Sequence, residues 1–149
     1  MIDQHLKLFE SLNRHGVEYL LIGGALSIAY GVPRVTKDID LFVSPTPQNA
    51  SRCLAALKEI GMGTAEMTTP KEICETEVTI FKDFLRIDLL THVKGLDFEE
   101  AWARRNQLSL DKVLIQALSL DDLIKSKKAA GRQDDLSDIK ILELARKKT

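Results

Sequence analysis

Two short stretches decide the fold: Tyr19-Leu20-Leu21-Ile22-Gly23-Gly24 and, thirteen residues further on, Asp38-Ile39-Asp40-Leu41-Phe42-Val43. The first is a run of large apolar residues ended by glycine, which predicts a short buried strand over residues 17–22. The glycine pair then turns the chain into residues 25–30, a helix-capable segment stopped by Gly31. The second stretch alternates. Ile39, Leu41 and Val43 fall on one face of a strand, and Asp38 and Asp40 fall on the other.

Reading outward, residues 3–15 carry Leu6, Phe9 and Leu12 at helical spacing, with Gly16 as the stop. After the second strand, Thr46 is placed as an N-cap with Pro47 at the first helical position. Leu54, Leu57 and Ile60 supply that helix's apolar stripe and Gly61 ends it. Residues 61–75 show no regular pattern. Residues 76–82 and 84–91 read as an antiparallel pair of strands turning at Lys82-Asp83. In the second of these, Leu85, Ile87 and Leu89 share a face opposite Arg86 and Asp88. Residues 97–105 read as a helix capped by Asp97, and residues 113–118 as a further strand. Ser119-Leu120-Asp121-Asp122 resembles a capping box. It opens a helix carrying Lys125, Lys127 and Lys128, which Gly131 breaks. A last helix from about residue 134 is expected to turn Leu136, Ile139 and Leu142 inward. Alternating helix and strand signals predict one mixed domain over residues 1–149, with a core over 17–118 and a helical segment over 119–149.

The 149 residues are 44% hydrophobic and 29% charged, enough for one real core and unlike a disordered chain. Lys plus Arg is 21 and Asp plus Glu is 22, for a net charge of -1, which excludes a strongly basic nucleic-acid coat but not a local basic patch. Met1-Ile2-Asp3-Gln4-His5 lacks the layout of a signal peptide, and no apolar run reaches membrane-spanning length. Cys53 and Cys74 form no disulfide or metal pattern, so a reducing, cytoplasmic location and no membrane contact are expected. His5, His15 and His92 have no metal-ligand spacing. Trp102 sits in a helix, where core packing is the ordinary role.

The chemistry gathers around three carboxylates and a glycine pair. Asp38 and Asp40 lie about 7 Å apart along one strand face. Asp88, on a later strand, can close the cluster. Grouped carboxylates on a half-buried sheet repel one another and call for a cation. Hard oxygen donors of this kind suit Mg²⁺, which is held by carboxylates together with substrate phosphates. Two such ions can stabilise the attacking and leaving oxygens of a phosphoryl displacement. Gly23 and Gly24 admit close approach of a phosphate to backbone, and Ser27 adds a hydroxyl one turn on. Arg34 and Lys37, on the loop entering the second strand, either reach a phosphate or are solvated loop charges. Lys125, Lys128 and Arg132 recur along one side of a helix, either facing a triphosphate or RNA or paired with Asp134, Asp135 and Asp138.

Leu21-Ile22-Gly23-Gly24 followed by Asp38-Ile39-Asp40-Leu41 resembles the signature of the nucleotidyltransferase superfamily, the DNA polymerase β-like fold. Arg86-Ile87-Asp88-Leu89-Leu90 resembles the strand bearing that family's third carboxylate. The tail from Leu123-Ile124-Lys125 through Lys128-Ala129-Ala130-Gly131-Arg132 to Asp138-Ile139 resembles small bacterial members related to the AbiEii toxins. The resemblance covers about residues 19–142. It implies an α/β fold of the α+β type, with a mixed sheet flanked by helices and a helical C-terminal segment. It implies Asp38, Asp40 and Asp88 as metal-binding catalytic residues using Mg²⁺ or Mn²⁺, with Asp88 helping to activate a hydroxyl. It implies Gly23 and Gly24 at the phosphates of a nucleoside triphosphate such as ATP, and it singles out Lys125 and Arg132 among the basic residues. Many active members carry Ser as the second motif residue, where this chain has Gly24. The implied reaction moves a nucleoside monophosphate to a hydroxyl on a protein, an RNA end such as tRNA, or a small molecule, and releases pyrophosphate. The rival readings are a non-catalytic nucleotide-binding module or toxin–antitoxin component of the same fold, and, with least support, a structural domain. A homodimer and a toxin–antitoxin partner both stay open as assemblies.

Overall fold

The computed structural model describes residues 2–148, with the side chain of Ile2 left aside. Helix α1 spans Ile2–Arg14, β1 Tyr19–Ile22, α2 Gly23–Ala29, β2 Asp38–Val43 and α3 Pro47–Glu59. A 3₁₀ turn at Gly63–Met67 precedes α4, Pro70–Glu75. Then come β3 Val78–Lys82, β4 Arg86–Leu90, α5 Phe98–Ala103, β5 Asn106–Leu110, β6 Val113–Ala117, α6 Leu120–Ala130 and α7 Gln133–Lys147. The fold is α+β, with a mixed, open, six-stranded sheet in the order β3-β4-β2-β1-β6-β5 and a helical C-terminal segment.

The two stretches that decide the fold form the middle of the sheet. β1 runs antiparallel to β2 and parallel to β6, and β2 runs parallel to β4. All four β1 residues are buried, as expected of a strand paired on both edges. In register, Asp40 stands beside Ile22 on one side and Asp88 on the other, and Asp88 stands beside Ile80. Paired positions share a sheet face, so Asp38, Asp40, Arg86 and Asp88 all emerge on one side. Ile39, Leu41, Ile87, Leu89 and Phe81 are buried on the other.

Local signals close the elements as expected. Thr46 Oγ1 accepts from the Asn49 amide at 3.1 Å, with Pro47 at the first helical position. Asp97 caps α5 through the Glu100 amide, and Ser119 caps α6 through the Asp122 amide, both at 3.1 Å. Gly131 ends α6 with a φ of 65°, a backbone state that favours glycine. Cys53 is buried, Cys74 is half-buried, and both are free. Trp102 is half-buried and stacks on Phe98, which meets Phe42 edge-on.

Five expectations change. The first strand begins at Tyr19 rather than Val17, and α2 begins at Gly23 itself, with no separate turn. Residues 61–75, read as irregular, hold a 3₁₀ turn and α4, the latter capped by Thr69. β5 is a strand that the pattern did not show. It pairs with β6 through a tight turn in which Asp111 and Lys112 both have positive φ, 48° and 70°, without the glycine or asparagine that marks such turns. Leu136 faces out, 52% exposed, while Ile139 and Leu142 face in as expected. The inward positions of that first turn belong to Asp135 and Asp138 instead. Among the described residues, no helix is long and apolar enough to cross a membrane.

Candidate active site

Asp40 is the centre of the site. Its carboxyl is pushed up to about 6, first by burial, then by the charges of Asp88 and Asp38 and a hydrogen bond with Asp88. Asp88 is 16% exposed at its side chain, and Arg86 Nε reaches its Oδ1 at 3.3 Å. The same Nε lies 3.9 Å from Asp38 Oδ1, so one guanidinium bridges two of the three carboxylates. Asp38 and Asp88 hold Arg86 more firmly protonated than usual. Asp40 receives the least of this compensation. Among the described residues, no three His, Cys, Asp or Glu side chains are gathered so as to hold a metal ion as they stand.

Gly23 makes room for Asp40. A Cβ at Gly23 would sit 2.2 Å from Asp40 Oδ2, inside any permitted contact, and the backbone φ of 72° also disfavours a side chain there. The glycine of the first stretch and the aspartate of the second are thus one structural unit. This contact, together with hard oxygen donors in register on adjacent strands, fits a divalent cation, with Asp38, Asp40 and Asp88 as the residues that would hold it.

Two cavities meet at Gly23 and Asp40. The first, about 340 Å³, is lined by Gly24, Arg34, Thr36, Lys127 and Arg132, with Asp134 and Asp135 at its α7 end. The second, about 280 Å³, adds Asp88 and Lys94 and is otherwise bounded largely by Val78, Leu90, Val93, Leu123 and Ala130. Lys127 and Arg132 border both. One lobe is therefore strongly charged, with three cations set among three carboxylates, and the other is partly apolar and takes in Asp88.

The three cations are held by a buried ion-pair network. Lys127 Nζ lies 3.0 Å from Asp138 Oδ2 and 3.4 Å from Asp135 Oδ1, with all three side chains 7% exposed or less. Arg34 donates to Asp138 Oδ2 at 3.0 Å, and Arg132 Nε lies 2.8 Å from Asp135 Oδ2. The Arg132 amide also donates to that Oδ2 at 3.3 Å, capping α7. Burial works to raise the Asp135 carboxyl, but its bond to Arg132 and the charge of Lys127 outweigh that and hold it below the ordinary range. Asp135 and Asp138 thus fix the two arginines and Lys127 around the first cavity.

The structure brings together Asp38, Asp40, Asp88, Gly23, Gly24, Arg34 and Arg132, but not the other three expected residues. Ser27 is buried and donates to the Gly23 carbonyl at 3.0 Å, so its hydroxyl serves the helix rather than a ligand. Lys37 is exposed and lines neither cavity. Lys125 is also exposed and lines neither, because the side of α6 that meets the site is the one bearing Leu123, Ser126, Lys127 and Ala130. Lys127 is the basic residue that the spacing argument missed. The signal was present: it follows Leu123 by four and Ile124 by three, which places it on the apolar face of an amphipathic helix.

A family model described as "Nucleotidyl transferase of unknown function (DUF2204)" matches residues 2–149. The chain belongs to this family. That membership agrees with the superfamily resemblance carried by Gly23-Gly24, Asp38-Ile39-Asp40 and Asp88. No curated protein matches the chain.

Two outcomes follow from this geometry. The unfolded Asp40 carboxyl has an ordinary value of 3.8 and the folded one about 6, so the metal-free protein loses stability as pH rises through this interval. Asp40→Asn is expected to stabilise the metal-free protein at pH 8 by about 1–2 kcal/mol, after discounting for partial exposure. The gain should vanish below pH 4, as roughly set by the ordinary aspartate value. Urea unfolding at both pH values checks this, and an Asn variant less stable than wild type at pH 8 would contradict it. Gly23→Ala should displace Asp40 and destabilise the fold by about 1–3 kcal/mol, from strain at positive φ and the clash. Denaturant melts read the loss, and unchanged stability would show that the Gly23–Asp40 contact is slack.

Proposed function

We propose that this chain is a metal-dependent nucleotidyltransferase, which moves a nucleoside monophosphate from a nucleoside triphosphate to a hydroxyl acceptor and releases pyrophosphate. The observation that carries the reading is a carboxylate floor and a set of cations around two adjoining cavities that share Gly23, Asp40, Lys127 and Arg132. Asp40 and Asp88 lie in register on adjacent strands, and Arg34, Lys127 and Arg132 face the bare backbone of Gly23 and Gly24. A purely structural domain gains nothing from an aspartate raised to about 6 in its central sheet. The family description supports the same reaction class.

In this reading, Asp38, Asp40 and Asp88 hold Mg²⁺ or Mn²⁺. A bound divalent ion supplies charge neutralisation for the triphosphate and polarises its α-phosphoryl group. Gly23 and Gly24 let phosphate oxygens approach the backbone. Arg34, Lys127 and Arg132 offset the remaining negative charge in the first lobe. Asp88 borders the second lobe, where it is placed to take the acceptor's hydroxyl proton as that oxygen bonds to the α-phosphorus and the bond to pyrophosphate breaks. The acceptor is a protein side chain, an RNA end or a small molecule. Positioning and electrostatics carry most of the catalysis. One observation favours a second reading, a non-catalytic nucleotide-binding module: Arg86 already occupies Asp88 at 3.3 Å.

Mg²⁺ or Mn²⁺ is expected to raise the melting temperature and a nucleoside triphosphate to raise it further, by mass action. Asp40→Asn should abolish both increments. With the protein in lysate, label at the α-phosphate should pass to an acceptor, and label at the γ-phosphate should not. Absence of any metal or nucleotide increment overturns both readings. Binding without transfer from the α position selects the module.

A further inference from the structure

Beside Gly24 the first cavity holds a hydroxyl that the motif pattern does not include. Gly24 has no positive φ, so its backbone would accept a side chain. A Cβ at that position would meet Thr36 at 3.4 Å from its Cβ and 3.5 Å from Oγ1. Thr36 therefore borders, at ordinary contact distance, the space that a side chain of residue 24 would take, and its hydroxyl oxygen faces that space. The residue is half-buried and lines the cavity with Gly24, Arg34 and Arg132. Its Oγ1 accepts from the Asp38 amide at 3.3 Å, which ties this hydroxyl to the start of β2. A threonine hydroxyl offers one proton as well as its lone pairs. Among the described residues that proton has no hydrogen-bond acceptor, and the cavity it faces carries Arg34, Lys127 and Arg132 as well as the carboxylates of Asp40, Asp134 and Asp135.

We propose that Thr36 is a phosphate-binding residue of this site, whose Oγ–H donates to a non-bridging oxygen of the bound triphosphate. The inference rests on the nucleotide reading above and adds a ligand to it. The order of the chain makes the arrangement compact. Thr36 sits two residues before Asp38 and accepts from its amide, so its hydroxyl is positioned by the start of the carboxylate strand. Gly24 supplies bare backbone on the facing side, and Thr36 supplies the side-chain donor that Gly24 lacks.

The test is calorimetric titration with magnesium tripolyphosphate and with the four magnesium nucleoside triphosphates. Thr36→Val keeps the shape and loses the proton, and it should weaken binding about tenfold, the worth of one hydrogen bond to a charged group. Thr36→Ser should bind within about threefold of wild type, since it keeps the donor. The double variant Thr36→Val with Gly24→Ser should regain most of the loss, because a hydroxyl at residue 24 would border the same part of the cavity. Wild-type affinity in Thr36→Val, with wild type binding normally, overturns the assignment and leaves the nucleotide reading intact. Weak binding in Thr36→Val that Gly24→Ser does not restore, whatever the affinity of Thr36→Ser, also overturns it, since a hydroxyl that serves only to accept from the Asp38 amide is kept by Ser and not supplied from residue 24. Failure of wild type itself to bind either probe overturns the nucleotide reading and this assignment together.

Discussion

The structure turns on a carboxylate in a place where carboxylates are costly. Asp40 sits in a central strand, flanked by Ile22 on β1 and by Asp88 on β4. Burial and like charge both work against its ionised form. Much else nearby follows from accommodating it. Gly23 lacks a Cβ because Asp40 Oδ2 occupies that space. Arg86 leans across the sheet face to offset Asp88 and Asp38. The direct β1-to-α2 junction carries Gly24 past the same point, leaving backbone exposed to the cavity.

The C-terminal helices solve a mirror-image problem. Lys127 is buried on α6 and would be untenable alone, but α7 delivers Asp135 and Asp138 to it. Each of those carboxylates also takes an arginine, Asp138 binding Arg34 and Asp135 binding Arg132. The network therefore ties α6, α7 and the loop before β2 into one charged wall. Surface ion pairs contribute little, whereas breaking a buried pair leaves an uncompensated charge and costs several kcal/mol, on the order of 3–5. The tail thus contributes to the cavity's electrostatics as well as covering the core. The near-zero net charge of -1 conceals this division between an acidic floor and a basic wall.

Much of this was legible in the chain. Strict alternation at Asp38 and Asp40 placed both on one face, and the apolar run at Tyr19 marked a buried strand. Thr46, Asp97 and Ser119 announced their helices because capping is a local bond between a side chain and a nearby amide. What was hidden depended on distant partners or unusual local choices. β5 is an edge strand, with only Leu108 partly buried against the core, and its turn uses Asp111 and Lys112. Leu136 turned outward because Asp135 and Asp138 claimed the inward face for Lys127, a preference that no count of apolar residues reveals. Ser27 followed its own helix, as serines within helices often do. Lys125 was favoured because the family-like tail singled it out, whereas Lys127, on the apolar side of the same helix, is the residue that lines the cavities.

The central claim is that Asp40 is held with too little compensating charge, and that the divalent cation of the proposed function would supply the rest. Carboxyl-carbon NMR of the aspartates, titrated with and without Mg²⁺, tests it most directly. The account predicts that Asp40 titrates near 6 in the metal-free protein and that saturating Mg²⁺ moves its titration well below that. An Asp40 that titrates at the ordinary aspartate value, or one that Mg²⁺ leaves unchanged, would contradict it.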